Sequence, residues 1–167
     1  FEGFNESRYA DGELQPHLAR KNQPTMPALH YDWDALASEV KRRGLRNSLL
    51  IAIAPTATIA SIVGSFESIE PQVSNFFKRE TLSGEFLQVN RYLINDLKRV
   101  GLWSAEMRSK IIEAEGSIQN IPEIPQEIRD LYKTTWEISQ KDLIDMAVDR
   151  STFICQSQSL NLFLEDP

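Results

Sequence analysis

Residues 47–64 read NSLLIAIAPTATIASIVG, and a change of pattern inside this stretch decides the fold class. Positions 49–54 carry no polar side chain, which suits a strand covered on both faces, as in a parallel sheet. Pro55 ends the strand, because proline has no N–H for a sheet ladder and its fixed φ suits a first helical turn. The pattern then turns helical through Ile59, Ile62 and Val63 to Gly64, so an α/β fold is expected. The first N–H groups of a helix lack internal partners and lie at the positive end of its dipole. The 55–59 turn therefore suits a phosphate, with the Thr56 and Thr58 hydroxyls as added donors. It equally suits a plain cap, Thr56 or Thr58 closing the helix with no ligand, which is the commoner use of such residues. Chemistry alone leaves both readings open.

Upstream, Asp32 reads as an N-cap, followed by Trp33, Leu36, Ala37 and Val40 on one helical face and a stop at Gly44. Lys41, Arg42 and Arg43 fall in the last turn, where cations suit the helix dipole better than they announce a nucleic-acid patch. Residues 1–31 are irregular, with glycines at 3 and 12 and prolines at 16, 24 and 27. Phe1, Phe4 and Tyr9 suit the end of a helix begun earlier, and residues 15–28 read as a long loop. His17 and His30 lie in that region and are expected at the surface, with too few neighbouring ligands for a metal site.

Downstream, residues 65–71 form a polar loop in which Glu67 and Glu70 are either a carboxylate pair or ordinary solvated side chains beside Pro71. Phe76 and Phe77 before Lys78 and Arg79 read as a short buried segment with a solvated end. Ser83 and Gly84 mark a turn into a helix over residues 85–100, with Phe86, Val89, Leu93 and Leu97 at helical spacing and Gly101 closing it. Ser104 caps a helix through Met107, Ile111 and Ala114 to Gly116. Residues 117–125 connect to a helical stretch from Gln126 to about Arg150, opened by Pro125 and broken near Lys133, with Tyr132, Trp136, Leu143, Met146 and Ala147 on one side. A second strand is expected from Phe153, with Leu160, Leu162 and Leu164 alternating toward its end.

The chain has 167 residues, 41% hydrophobic and 25% charged, enough for one ordinary core. A net charge of −6 gives no general attraction to nucleic acid or anionic membranes, so a phosphate would have to be held locally. No apolar run approaches a membrane span and no secretory signal is present, which makes the cytoplasm the expected compartment. Cys155 is the one cysteine, so this chain forms no internal disulfide and no thiolate cage of its own. A lone cysteine in an apolar strand is most often inert packing. The first residue is Phe, as expected of a piece of a longer polypeptide.

The order of the motifs is more specific than any one of them. PTATI at 55–59 is followed by ESIEP at 67–71, Ser74-Asn75, LSGEF at 82–86, NIPEIP at 120–125 and QSQSLN at 156–161, with Phe1-Glu2-Gly3, Tyr9-Ala10 and Gly12 ahead of them. Together these resemble the large, catalytic subunit of class I ribonucleotide reductase, and the resemblance covers nearly the whole chain.

The resemblance implies a partial segment of a ten-stranded α/β barrel, helix-rich with few strands, with residues 1–167 an incomplete part of the catalytic barrel domain. It implies that Thr56, Ala57, Thr58 and Ile59 contact the substrate diphosphate through backbone amides and hydroxyls. Some members carry a second hydroxyl residue where this chain has Ile59, which offers only its backbone N–H. The implied reaction reduces ribonucleoside diphosphates to deoxyribonucleoside diphosphates by radical chemistry for DNA synthesis. No catalytic residue of that reaction falls in this segment: the radical and redox-active cysteines and the relay tyrosines belong to family segments outside it. The family position matching Cys155 is often Asp. With one thiol the segment has no dithiol to deliver two electrons, so it can bind but not reduce.

The implied partners are the ribonucleoside diphosphate, the rest of the large subunit, a small radical-generating subunit, thioredoxin or glutaredoxin, and a second large subunit in a homodimer. Nucleic acid and membrane are not among them. No cofactor is expected on this segment; the complete enzyme would use a metal and radical cofactor in the small subunit and effectors such as ATP and dATP. Two other readings stand beside this one: a fragment of a cobalamin-dependent class II reductase, and a non-catalytic binding or assembly module.

Overall fold

A computed structural model describes residues 1–22, 30–81 and 84–164. The expectations for the later part of the 15–28 loop and for Ser83 lie outside the described residues. The chain forms two compact units, one of Phe1–Ser68 with Leu143–Leu160, the other of Ile69–Asp142 with the residues from Asn161 onward.

The first unit opens with a 3₁₀ turn at Phe4–Glu6 rather than the end of a longer helix. The Phe1 ring meets Phe4 and Tyr9 edge-on, at centroid distances of 5.6 and 6.3 Å. Helix α1 spans Gln15–Asn22, where a loop was expected. Pro16 in its first turn has no N–H to waste and is fully buried, so the proline that suggested a loop starts a helix instead. Helix α2 spans Trp33–Arg43; Asp32 caps it by accepting from the Ala35 N–H at 2.9 Å, and Gly44 ends it. Ala37 and Val40 bury against Leu14, with Phe4, Tyr9, Trp33 and Leu45 packed around them. Leu36, expected on that face, is exposed.

Residues 49–54 are not the fully buried strand that their composition predicts. They are extended and pair in parallel with residues 156–159, but through a single bridge, Ile53 opposite Gln158. The Gln156 N–H donates to the Ile51 carbonyl at 3.2 Å, Ile53 N–H to Ser157 at 3.2 Å, and Ser159 N–H to Ile53 at 2.8 Å. Leu49, Leu50 and Ile51 remain 52, 62 and 50% exposed, because among the described residues only this one neighbour lies alongside. The strand expected from Phe153 likewise shrinks to the bridged segment, and Leu162 and Leu164 are exposed. Helix α3 spans Ala57–Val63, with Thr56 at its N-cap position, Ala60 buried and Gly64 ending it in the left-handed region.

Among the described residues, the second unit contains two strands, β1 (Phe76–Thr81) and β2 (Gly84–Val89), paired antiparallel from Phe76 opposite Val89 to Thr81 opposite Gly84. The helix expected over 85–100 is thus half strand. Asn90 sets the boundary: its side chain accepts from the Tyr92 and Leu93 N–H groups and starts helix α4, Arg91–Arg99. Helix α5, Ala105–Glu113, begins where expected, with the Ser104 hydroxyl accepting from the Met107 N–H at 3.0 Å. Helix α6, Gln126–Leu131, follows Pro125. The break near Lys133 is real: a 3₁₀ turn at Thr135–Glu137, held by a reciprocal Thr134–Glu137 capping box, separates α6 from helix α7, Gln140–Ser151. From Leu143 onward α7 belongs to the first unit, where Leu143 and Ala147 are buried and Met146 is about half exposed; Trp136 of the second unit is also about half exposed.

Leu93 and Leu97 of α4, Met107 and Ile111 of α5, Ile118, Ile121 and Ile124 of the connector and Ile128 of α6 form the core of this unit. Each such side chain contributes about 1.5–3 kcal/mol by leaving water. Beside it runs a buried polar network. The Asn75 side-chain amide donates to the Gly116 carbonyl at 3.1 Å and the Tyr132 carbonyl at 2.9 Å, and Asn90 donates to the Asn75 side-chain oxygen at 2.9 Å. No helix among the described residues is long and apolar enough to cross a membrane.

Candidate functional site

Thr56, Ala57, Thr58 and Ile59 lie at the start of α3, with Ala57, Thr58 and Ile59 exposed and Thr56 half-buried. The Thr56 carbonyl accepts from the Ala60 N–H at 2.8 Å, which begins the helix. Its hydroxyl does not cap that helix. Instead Thr56 Oγ1 accepts from the Ser68 N–H at 2.7 Å, across a loop that returns from Gly64. Among the described residues, the N–H groups of Ala57, Thr58 and Ile59 donate to no protein acceptor. A side-chain cap at Thr56 or Thr58, one of the two readings of the sequence, is thereby absent. What stands at the turn is three amides without a protein acceptor, the exposed Thr58 side chain, and a Thr56 hydroxyl that accepts once from Ser68 and still has its proton to donate.

Ser68 holds φ 53, in the left-handed region that a non-glycine residue adopts only when its surroundings demand it. Two residues on, the Glu70 carboxylate accepts from the Asn161 backbone N–H at 3.0 Å and from its side-chain amide at 3.1 and 2.9 Å. Glu70 thus holds both the backbone and the side chain of Asn161. Sequence reasoning missed Ser68 and Asn161. Both fall inside the quoted ESIEP and QSQSLN stretches, but a backbone N–H contributed across the turn leaves no trace in residue type.

A shallow open groove of about 560 Å³ runs beside the turn, lined by the two bridged segments and ending at Pro55. Cys155 lies on it, half-buried, in no regular strand. Its sulfur accepts from the Leu50 and Ile51 N–H groups at 3.0 and 3.2 Å, so it ties the extended 49–54 segment to the chain rather than filling apolar space. His17 is also less free than expected. Its Nδ1 accepts from the Leu14 N–H at 3.1 Å while Nε2 faces Asp34 at 3.0 Å, joining α1 to α2; His30 is exposed as expected. No group of three or more His, Cys, Asp or Glu side chains able to hold a metal ion is gathered among the described residues.

The family model of the ribonucleotide reductase barrel domain matches residues 1–167. The large subunit of ribonucleoside-diphosphate reductase from Trypanosoma brucei brucei is 49% identical over the whole of this chain and 21% of its own length. The large chain from Schizosaccharomyces pombe is 47% identical, again over the whole chain and 20% of its own. That of Encephalitozoon cuniculi is 54% identical over 83% of the chain and 18% of its own. The chain thus spans about a fifth of the length of these curated relatives. In structure it resembles the Actinobacillus ureae class Id ribonucleotide reductase alpha subunit, with a TM-score of 0.64 and 25% identity over 99% of this chain and 33% of that one. The chain belongs to the ribonucleotide reductase family and matches that family's barrel domain.

Proposed function

We propose that this chain is a segment of the large subunit of a class I ribonucleoside-diphosphate reductase, and that Thr56, Ala57, Thr58 and Ile59 hold the substrate's diphosphate. The observation that carries the site is the diverted Thr56 hydroxyl. With that hydroxyl turned to Ser68 and no side-chain cap made, the amides of Ala57, Thr58 and Ile59 have no protein acceptor among the described residues and stand at the positive end of α3. Ile59 contributes through its backbone alone, and Thr58 adds a hydroxyl.

In this reading residues 1–167 are one portion of the catalytic barrel domain. The segment binds and orients; it does not reduce, since Cys155 is its single thiol and two electrons require a dithiol. The radical and the reducing cysteines come from other parts of the enzyme, with a small subunit generating the radical and thioredoxin or glutaredoxin restoring the dithiol. Effectors such as ATP and dATP, a large-subunit homodimer and a cytoplasmic location complete the reading. The relatives, ribonucleoside-diphosphate reductases and a class Id alpha subunit, support class I over a cobalamin-dependent enzyme.

The test is Thr56→Val with Thr58→Val in a complete large subunit carrying this sequence, assayed with its small subunit. Loss of two charge-assisted hydrogen bonds predicts a fall in affinity for the ribonucleoside diphosphate of roughly tenfold or more. Unchanged affinity would remove the hydroxyls from the site.

A further inference from the structure

Helix α1 is closed at its start by an imidazole. The Leu14 carbonyl accepts from the His17 and Leu18 N–H groups at 2.9 and 3.2 Å, so Leu14 stands at the N-cap position and His17 in the third place of the helix. In that place a Glu or Gln commonly reaches back to the N-cap N–H. His17 does the same: its Nδ1 accepts from the Leu14 N–H at 3.1 Å, and that N–H makes no other hydrogen bond among the described residues. A backbone N–H can only donate, so Nδ1 carries no proton and the hydrogen of the neutral ring sits on Nε2. Nε2 donates to Asp34 Oδ1 of α2 at 3.0 Å. Both ring nitrogens are thereby committed, and the tautomer with them. The His17 side chain is 17% exposed, Leu14 is buried and Pro16 fully so, which makes this a covered turn.

A second proton on the ring does not fit that geometry. Histidine is the side chain whose charge ordinarily changes between about pH 5 and 8, and the free place for the proton here is Nδ1. Two N–H groups would then face each other across a hydrogen-bonding distance. Asp34 on α2 and Glu13 ahead of α1 are the carboxylates around the ring, and both favour the imidazolium. Lys21 of α1 and Arg8, each paired with Glu13, oppose it. An imidazolium keeps Asp34 through Nε2 and gives up Leu14.

We propose that His17 is an acid-released latch on the start of α1: neutral, it caps the helix through the Leu14 N–H; protonated, it turns to Asp34 alone and leaves the first turn uncapped. Every group in the latch belongs to the first unit, and it stands apart from the reading of residues 56–59. Local order in this part of the molecule then follows pH, and Leu14 and Pro16 are the buried side chains uncovered when the latch opens.

The experiment follows amide hydrogen exchange in a complete large subunit carrying this sequence, at about pH 7.5 and about pH 5.5, on either side of the ordinary histidine midpoint. Rates are corrected for the intrinsic pH dependence of exchange. Protection over residues 13–18 should fall roughly tenfold at the lower pH, the size of one lost cap, while residues 37–43 keep theirs. His17→Gln supplies an acceptor in the same place that does not titrate, so it should hold its protection at both pH values. His17→Ala should lack it at both. Asp34→Asn leaves an oxygen for Nε2 but removes the charge that favours the imidazolium, so release should move to lower pH. Equal protection of the parent at both pH values overturns the latch. A fall in His17→Gln as large as in the parent also overturns it, since the loosening then comes from other groups. So does release in Asp34→Asn at the same pH as in the parent.

Discussion

Gly116 lies so close to Ser74 that a methyl group on its α-carbon would sit 1.8 Å from the Ser74 hydroxyl oxygen, and 2.9 Å from the backbone nitrogens of Asn75 and Phe76. Its φ of +88 adds a conformation that side chains rarely adopt. The close approach lets the Asn75 N–H and side-chain amide both reach the Gly116 carbonyl, at 3.3 and 3.1 Å. Gly116→Ala should therefore destabilise the fold by about 3 kcal/mol or more, since the obstruction includes backbone that cannot swing aside. Chemical denaturation of parent and variant measures it, and a change below about 1 kcal/mol would contradict the packing described.

Asn90 serves two structures at once. Its oxygen accepts from the first-turn amides of α4, and its nitrogen donates to buried Asn75. Asn90→Ala loses both and should cost about 2–3 kcal/mol. Asn90→Asp keeps the cap but sets an acceptor against the Asn75 oxygen, so it should also destabilise, whereas a capping role alone would leave Asp as good as Asn. Comparing the two unfolding curves separates the roles.

Tyr132 donates its hydroxyl to Asp96 at 2.7 Å. Burial first, then that hydrogen bond and the Asp96 charge, push its phenol up to about 12 from the ordinary 10.0. The folded state thus keeps this proton where the unfolded chain has lost it. Its stabilisation is fully present below pH 10 and is lost as pH rises from 10 toward about 12. Tyr132→Phe should flatten stability against pH across that window. An ultraviolet titration of the parent that shows all tyrosines ionising near 10 would refute the assignment.

Cys155 accepts two backbone N–H groups, a role that a serine hydroxyl also performs. Cys155→Ser should leave turnover of a complete enzyme near the parent value. A loss greater than about a hundredfold in a variant that remains folded, roughly 2.7 kcal/mol of transition-state stabilisation, would assign the thiol a part in the chemistry.

The parts legible in the sequence are those specified locally. Asp32 and Gly44 bound α2, Ser104 opens α5 and Pro125 precedes α6, each because one side chain meets a backbone group a few residues away. The hairpin was illegible because Phe86, Val89, Leu93 and Leu97 keep a helical spacing although the chain changes from strand to helix at Asn90. The 49–54 run was over-read for the opposite reason: its composition answers to neighbours on both sides, and one bridge is what this chain supplies. At the turn, the position of α3 could be read from Pro55 and the hydroxyls. The partner of Thr56 could not, since it is a backbone N–H twelve residues on, presented by a serine in an unusual conformation.

The parallel bridge between Ile53 and Gln158 also has a consequence in time. It joins positions separated by about a hundred residues, and closing a loop of that size costs roughly 4 kcal/mol of chain entropy before any contact repays it. The hairpin, α4, α5 and α6 draw instead on residues close in sequence. A ribosome therefore releases Pro55 and its turn about a hundred residues before 156–159 and leaves the edge beside them unpaired in between. Over that interval the half-exposed apolar edge is open to chaperones and to other nascent chains, until residues 156–159 close it.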